Sequence, residues 1–303
     1  MLHKTMTLLT GLLLMASVAV AQDAVVSTQW VADNLNSSDV RIIEVSVEPG
    51  QFERGHIPGA ANLRWHTDLV NPIQRDIVSA DNFEELMSSL GVTNETTVVL
   101  YGDNNNWFAA WGAWIFNIYG HENVKLMDGG RNKWVAERRP QSTRPASFQA
   151  ASYQVDEVND HLRARLSDVL SVVNEEEDGA LVDIRSNAEY TGQVIAPQGV
   201  QELAIRAGHI PGAVNIPWGE VVQEDGTFKS ADELRELYAA KGIDGSSPII
   251  TYCRIGERSS HSWFALSQIL GYEVKNYDGS WTEYGNSVGV PIDNPSGTVW
   301  TGK

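Results

Sequence analysis

The sequence predicts an α/β protein built from two tandem domains, each with a central, mostly parallel sheet flanked by helices. Two observations lead to this prediction. The segment GHIPGAANLRW at 55–65 recurs as GHIPGAVNIPW at 208–218, so the chain contains an internal repeat. Around each copy, short apolar runs alternate with helical patterns, which is typical of parallel strands joined by helices.

The two halves contain the same predicted elements in the same order. A strand precedes each copy of the repeat, and a helix, a second strand, an amphipathic helix and a third strand follow it. In the first half these elements lie at 40–45, 81–90, 96–102, 107–120 and 124–130. In the second half they lie at 180–185, 230–241, 248–253, 259–270 and 273–279.

The repeat also predicts the domain borders. Residues 22–138 form the first domain and residues 160–303 form the second. The stretch 139–159 contains prolines, serines, threonines and glutamines and is interpreted as the linker between them.

The first 21 residues have the pattern of a secretory signal peptide. Lys4 precedes a short apolar run, and Ala19-Val20-Ala21 matches an A-x-A cleavage site. The run is too short to remain as a membrane anchor. We therefore expect a periplasmic or secreted protein, cleaved after Ala21, with no membrane anchor.

The charge of the chain limits its partners. The formal net charge is −17, so the basic surface that nucleic acids or anionic membranes require is not expected. The seven histidines show no metal-ligand spacing. We predict neither a metal nor another cofactor.

Cys253 is the only cysteine among the 303 residues, so it has no intramolecular disulfide partner. It ends an apolar strand, where parallel sheets place their ligands. Gly256 permits a turn, and a helix is expected to begin near Arg258 or Ser259. In the first half Gly102 occupies the position of Cys253, so the second half is the predicted reactive half.

The loop after this cysteine predicts an anion cradle at the beginning of a helix. The predicted cradle residues are Ile255, Gly256, Glu257 and Ser259. Their backbone N–H groups, together with Arg254 and Arg258, are expected to lower the pKa of Cys253 from ~8.5 into the ~3.5–7.5 range. The alternative is an inert core cysteine, which the two arginines and the glycine disfavour. Glu257 would either pair with an arginine or face solvent.

The paired GHIPGA segments, DIRSNAEY at 183–190 and YCRIGERSS at 252–260 resemble the two-domain rhodanese sulfurtransferases over essentially the whole chain after residue 21. CRIGERSSHSWF is similar to the thiosulfate sulfurtransferase branch. The resemblance implies that Cys253 takes a sulfane sulfur from a small-molecule donor as a persulfide. It would then pass the sulfur to cyanide, a thiol or a protein thiol in ping-pong catalysis.

Arg254 and Arg258 are the predicted substrate-binding residues. A positive charge directly after the cysteine suits the thiosulfate dianion, whereas the mercaptopyruvate branch typically has Cys-Gly-Ser-Gly. Some members of the thiosulfate branch carry a substrate-binding arginine at the position of Glu189. Here Arg206 or Arg185 would have to replace that contact, or it is missing.

Three alternative functions stay open. The chain could be a 3-mercaptopyruvate sulfurtransferase, or it could be a non-enzymatic persulfide carrier, which would need the same loop. A cysteine phosphatase or arsenate reductase would use a loop with one more residue between its cysteine and arginine than the four that separate Cys253 from Arg258. The shorter loop favours a terminal sulfur over a phosphate.

Five further residues receive expected roles. Asp183 and Arg185 are predicted to form a structural ion pair at a strand end. His56 and His209, in the repeated GHIPGA segment, are predicted to stabilise the fold, because one copy of the segment lies in the half without the thiol. Trp281 is placed at the rim of a cleft.

Overall fold

The structure, a computed structural model, describes residues 24–200, 203–299 and 301. The predicted signal peptide at 1–21 lies outside these residues. Across the described ranges, no helix is long and apolar enough to cross a membrane.

The strands of both halves are short and mostly apolar. Those of the first half are β1 (Val25–Val26), β2 (Val40–Glu44), β3 (Ala61–Asn62), β4 (Val70–Asn71), β5 (Asp76–Ile77), β6 (Thr97–Tyr101) and β7 (Val124–Met127). Those of the second half are β8 (Arg163–Ala164), β9 (Ala180–Asp183), β10 (Val214–Asn215), β11 (Ile249–Tyr252) and β12 (Val274–Tyr277).

Within the described residues, ten of these strands form two five-stranded parallel sheets with the same topology. The first has the order β1-β7-β6-β2-β3, and the second has the order β8-β12-β11-β9-β10. The strands β4 and β5 form a separate antiparallel hairpin in the first half. The predicted fold class, two mostly parallel α/β domains in tandem, is confirmed.

Helices cover both sheets. Those of the first half are α1 (Thr28–Asp33), α2 (Gln51–Arg54), α3 (Ala80–Ser89), α4 (Trp107–Ile118) and α5 (Gly130–Ala136). Those of the second half are α6 (Leu166–Val173), α7 (Asn187–Tyr190), α8 (Ala231–Ala239), α9 (Glu257–Phe264) and α10 (Ser280–Tyr284). A π-helical turn, Ala265–Ile269, continues α9.

Local sequence explains where several helices begin. Ser79 caps α3 by accepting a hydrogen bond from the N–H of Asn82. Ser230 and Glu233 form a reciprocal capping box at the start of α8. The predicted strands and helices are confirmed, and their ends differ from the prediction by a few residues because caps and turns, not hydrophobicity, determine where an element ends.

The helices α4 and α9 pack against each other between the two halves. The expectation that α4 is amphipathic is wrong, because its residues are apolar on nearly all sides, whereas α9 combines polar and apolar residues as expected. All eight residues of α9 are buried, and so are the residues from Ala109 to Phe116 in α4. Each helix has a sheet on one side and the other domain on the opposite side, so neither keeps a solvent face. Trp111 and Trp263 belong to one apolar core that extends across the interface.

Candidate active site

Cys253 directly follows β11, and none of its surface is exposed. Its backbone N–H donates to Ser280 Oγ at 3.1 Å, and its carbonyl accepts from the N–H of Trp281 at 3.1 Å. Both partners are the first residues of α10. The beginning of this helix therefore fixes the backbone of Cys253.

The loop folds back over the sulfur through Gly256. This glycine has φ +97°, and its N–H donates to Cys253 Sγ at 3.1 Å. A Cβ here would lie 2.7 Å from the Cα of Asp278 and from the ring of Trp111, so a side chain has no room. The helix α9 then begins at Glu257, one residue before the predicted start. The predicted cradle residues lie together in this loop, and the N–H groups of Ile255 and Ser259 also favour a negative sulfur.

Two acidic groups lie near the sulfur and its arginine. Glu257 Oε2 is 3.5 Å from Cys253 Sγ, and Glu257 Oε1 is 3.7 Å from Arg258 Nε. On the other side, Arg258 Nη2 is 3.5 Å from Glu189 Oε1. Glu257 therefore faces the sulfur and the arginine, and not the solvent.

The expected lowering of the thiol pKa is wrong for this resting arrangement. Burial raises the pKa of the Cys253 thiol above its ordinary value, and the carboxylate of Glu257 raises it further. Arg258 and the N–H groups of Ser259 and Ile255 oppose that rise without overcoming it. The sequence shows the donors of the cradle but not the complete removal of the sulfur from water, which is the larger effect.

The arginines near the site have unequal roles. Arg258 is buried, and its guanidinium lies 5.9 Å from the ring centre of Trp107 in the first half. Arg254 is buried next to the cysteine, and its carbonyl accepts from the N–H of Thr282 at 2.9 Å. The structure thus places Arg258 between two carboxylates and the backbone of Arg254 beside α10.

The proposed replacements for the contact at Glu189 are wrong. Arg206 donates to four backbone carbonyls, at Gly285, Val290, Tyr284 and Ser287. Arg185 pairs with Asp183 at 2.6 Å and donates to the carbonyl of Gly208. Both guanidinium groups hold loops of the second half. Glu189 itself caps α7 through Ser186 and pairs with Arg258, which keeps the pKa of Glu189 low despite its burial.

The remaining predicted residues are structural. Asp183 and Arg185 form the expected buried ion pair. Trp281 is 1% exposed, so its placement at a cleft rim is wrong. Its ring lies 4.7 Å from the guanidinium of Arg185, which it covers. His56 contacts the carbonyls of Phe52 in α2 and of Arg144, and His209 contacts the last carbonyl of α7. Each histidine also stacks on an aromatic ring, as expected of fold-stabilising residues.

Sequence reasoning missed three residues that shape the loop. Ser280 holds the backbone of the cysteine, and Asn276 donates to the carbonyl of Gly256 at 3.2 Å. Arg75, from the hairpin β4–β5 of the first half, donates to the carbonyls of Ile255 and Asp278. An Asp-Gly pair follows the third predicted strand of each half, and Ser280 is the residue directly after this pair in the second half. No sequence pattern marks Arg75, because its contact depends on how the halves dock.

A cavity of about 290 Å³ lies between the halves beside this loop. It is lined by Trp65, His66, Val70, Pro72, Arg75, Asp76, Trp111 and Asp278. Trp111 and Asp278 also flank Gly256. Both domains therefore build the surroundings of the loop after Cys253.

Comparison with known proteins agrees with this geometry. The rhodanese-like domain family matches at residues 27–137 and again at 166–287. The chain is 50% identical to a Mycobacterium bovis protein named "Putative thiosulfate sulfurtransferase 1" over 89% of this chain and 98% of that protein. It is 52% identical to "Sulfur carrier protein TtuD" of Thermus thermophilus over 89% of this chain and 96% of that protein.

Solved structures share the fold. YnjE superposes with a TM-score of 0.77 at 24% identity, covering 89% of this chain and 68% of that one. An anaerobic ergothioneine biosynthesis enzyme from Chlorobium limicola superposes with a TM-score of 0.76 at 23% identity, covering 90% of this chain and 70% of that one. The two family matches, the relatives and the shared architecture lead to one conclusion: this chain belongs to the rhodanese-like domain family, with two such domains in tandem, and sulfur transfer is its broad class of activity.

Proposed function

We propose that the protein is a thiosulfate sulfurtransferase that carries a sulfane sulfur as a persulfide on Cys253. The observation that carries this proposal is the position of the sulfur: Gly256 N–H donates to Sγ at 3.1 Å. The same loop begins a helix whose second residue is Arg258. Such a cradle stabilises a small sulfur anion and the sulfite that leaves.

The chemistry consists of two displacements at sulfur. In the first, Cys253 attacks the sulfane sulfur of thiosulfate, and sulfite leaves with the electron pair of the broken S–S bond. In the second, cyanide or a thiolate attacks the terminal sulfur of the persulfide, and Cys253 leaves. This sequence is ping-pong catalysis through a covalent intermediate.

Mass spectrometry of the intact protein tests the proposal. Thiosulfate should add about 32 Da, the mass of one sulfur atom, and cyanide should remove it. Cys253→Ser, which removes only the reactive atom, is the matched control and should gain no mass. An unchanged wild-type mass after thiosulfate treatment would exclude the sulfurtransferase.

Donor choice is tested by comparing thiosulfate with 3-mercaptopyruvate on one preparation. Arg254 directly follows Cys253 in the chain and is buried, and a positive charge at this position would suit a dianion. We expect Arg254→Ala to lower kcat/KM for thiosulfate by roughly 10–100-fold, which is the range for one charge-assisted contact, and to affect 3-mercaptopyruvate less. Equal losses with both donors would contradict this account. An aryl phosphate should give no turnover.

A persulfide carrier is the second candidate function, and the identity of 52% to a protein named a sulfur carrier favours it. A carrier would form the persulfide readily but transfer it only to a specific protein acceptor. Persulfide that forms within seconds and resists both cyanide and small thiols would therefore favour the carrier over the enzyme.

We also propose that the protein acts outside the cytoplasm, on the basis of its N-terminal sequence. Cell fractionation should find it in the periplasm or the medium, and N-terminal sequencing of the mature protein should begin at Gln22. A cytoplasmic protein that retains Met1 would contradict this proposal.

A further inference from the structure

The carboxylate of Glu257 connects the reactive sulfur with its neighbouring arginine. Cys253 Sγ donates to Glu257 Oε2 at 3.5 Å, while Glu257 Oε1 lies 3.7 Å from Arg258 Nε. The side chains of Glu257 and Arg258 are almost completely buried. The other charged group that faces this arginine is Glu189, 3.5 Å away on α7.

The buried thiol keeps its proton in the resting protein, because burial raises its pKa. A thiolate, and not a thiol, is the form that attacks sulfur. The proton must therefore leave Cys253 during the first displacement. A carboxylate oxygen that already touches the sulfur can take this proton directly, whereas water does not reach Sγ in this arrangement.

Among the described residues, the nearby carboxylates differ in their availability. Asp278 lies beside Gly256, but both of its oxygens accept from Arg163 at 2.8 Å. Glu189 accepts from Ser186 and pairs with Arg258. Glu257, in contrast, has an oxygen in direct contact with Cys253 Sγ.

We propose that Glu257 is a catalytic residue that takes the thiol proton of Cys253 during sulfur uptake and returns it after sulfur delivery. This inference rests on the proposed sulfurtransferase function. In uptake, the S–H proton passes to Glu257, Cys253 sulfur bonds to the sulfane sulfur, the S–S bond of thiosulfate breaks and sulfite leaves with its electron pair. In delivery, an acceptor thiolate bonds to the terminal sulfur, the persulfide bond breaks and protonated Glu257 restores the thiol.

The transfer keeps the charge of the buried site constant. At rest the sulfur is neutral and Glu257 is negative. In the persulfide state the terminal sulfur is negative and Glu257 is neutral. Arg258 therefore faces one negative charge on this side in both states, and the site avoids the large penalty of an extra buried charge.

A purely electrostatic role for Glu257 makes the opposite prediction. If the carboxylate only repelled the thiolate, its removal would favour the ionised sulfur and accelerate uptake near neutral pH. If it accepts the proton, its removal slows uptake there. The direction of the change in rate therefore separates the two roles.

The test is the single-turnover rate of persulfide formation with thiosulfate, followed by rapid quench and mass spectrometry between about pH 6 and 9. In the wild type we expect a nearly flat profile, because the proton passes from sulfur to Glu257 within the site and not to hydroxide from the solvent. Glu257→Gln should be about 10²-fold slower at pH 7, a typical loss for a general base, and should accelerate roughly tenfold per pH unit. A Glu257→Gln rate at pH 7 equal to or above that of the wild type overturns the proposal.

Two further variants make the result specific. Glu189→Gln removes a negative charge beside Arg258 but none beside the sulfur, so it should retain the flat profile. A steep profile in that variant would overturn the proposal. Glu257→Asp keeps a carboxylate and should retain the flat profile at a reduced rate, which preserves the test if Glu257→Gln does not fold.

The two proposals fail in different ways. A wild-type protein that forms no persulfide overturns the sulfurtransferase function itself. A wild-type protein that forms persulfide while Glu257→Gln forms it equally fast overturns only the role of Glu257.

Discussion

The two halves have the same strand order, yet the loop that follows the central strand differs between them. In the second half the N–H of Cys253 donates to Ser280 Oγ. In the first half the corresponding N–H of Gly102 donates at 2.9 Å to Asn106 Oδ1, which lies in the loop itself. Gly130 takes the place of Ser280 there and offers no hydroxyl. The loop of the second half is thus anchored by Ser280 of α10, and the loop of the first half is anchored by its own residue Asn106.

The loop of the first half that contains Asn106 has an unusual backbone conformation. Asn104, Asn105 and Asn106 all have positive φ, at 46°, 53° and 63°. Asparagine tolerates this region better than most residues, but three in succession still carry strain. The first half therefore differs from the second in the backbone of this loop as well as in the missing thiol.

The halves also secure the repeated GHIPGA segment differently. Both use a buried arginine that pairs with a carboxylate at the end of a strand and donates to the glycine carbonyl of the segment. In the first half Arg131 pairs with Glu44, whereas in the second Arg185 pairs with Asp183. Trp281 occupies the position of Arg131. In both halves an arginine thus binds the glycine carbonyl of the repeated segment, but the two arginines come from different sequence positions.

Moving the cysteine between the halves tests the comparison most severely. Cys253→Ser should lose at least about 10⁴-fold in turnover, as expected when a covalent nucleophile is removed. Adding Gly102→Cys should restore nothing, because a Cβ at Gly102 would lie 2.2 Å from the carbonyl oxygen of Val45. Steady-state assays with thiosulfate and cyanide check both variants. Activity in the double variant would show that the first loop can still form a cradle.

Arg258 corresponds to Trp107 in the first half, so its removal makes the two loops more alike. Arg258→Ala should lower kcat/KM for thiosulfate by about 10²–10³-fold, because Glu257 would then face the reacting sulfur, and Glu189 would stay buried, without the cation that pairs with both. Arg235→Ala, which removes an exposed arginine on α8, is the matched control and should retain full activity. Similar losses in both variants would mean that general charge, and not this contact, matters.

The interface helices differ in their response to acid. His261 in α9 is completely buried, and burial lowers its pKa to about 3, whereas Ala110 takes its place in α4. The unfolded chain binds this proton near pH 6.5, so between about pH 6 and 3 the contribution of His261 to the free energy of unfolding should fall by roughly 1.4 kcal/mol per pH unit.

His261→Phe keeps an aromatic ring against Phe228 and removes the titration. The difference in stability between this variant and the wild type, measured by urea unfolding at several pH values, should follow that slope. A difference independent of pH would contradict the assignment.

The smallest expected effect concerns an exposed ion pair between the halves. Lys133 Nζ in the first half lies 2.6 Å from Asp225 Oδ2 in the second. Asp225→Asn should lower the free energy of unfolding by less than about 1 kcal/mol, since exposed pairs contribute little, and should leave turnover unchanged. Chemical denaturation and the steady-state assay measure the two quantities. A large loss of either would give this pair a greater role in docking than the apolar interface.

Much of this architecture could be predicted because the repeat and the alternation of apolar runs are local patterns. The position of Cys253 after β11 and the need for Gly256 follow from the same logic. The burial of α4 and α9 could not be predicted, because each helix loses its solvent face only when the halves dock. The raised pKa of Cys253 and the contact from Arg75 depend on that docking for the same reason.

The complete burial of Sγ has a kinetic consequence. No reactant in solution can touch an atom without exposed surface until some part of the loop or interface moves aside. The proposed persulfide formation therefore requires an opening step before the chemistry, and the rate of that step is a property of the protein. At saturating concentrations, unrelated thiol reagents and sulfur donors should then react with Cys253 at one common maximal rate. This rate is set by how often the protein opens and not by the reactivity of the reagent.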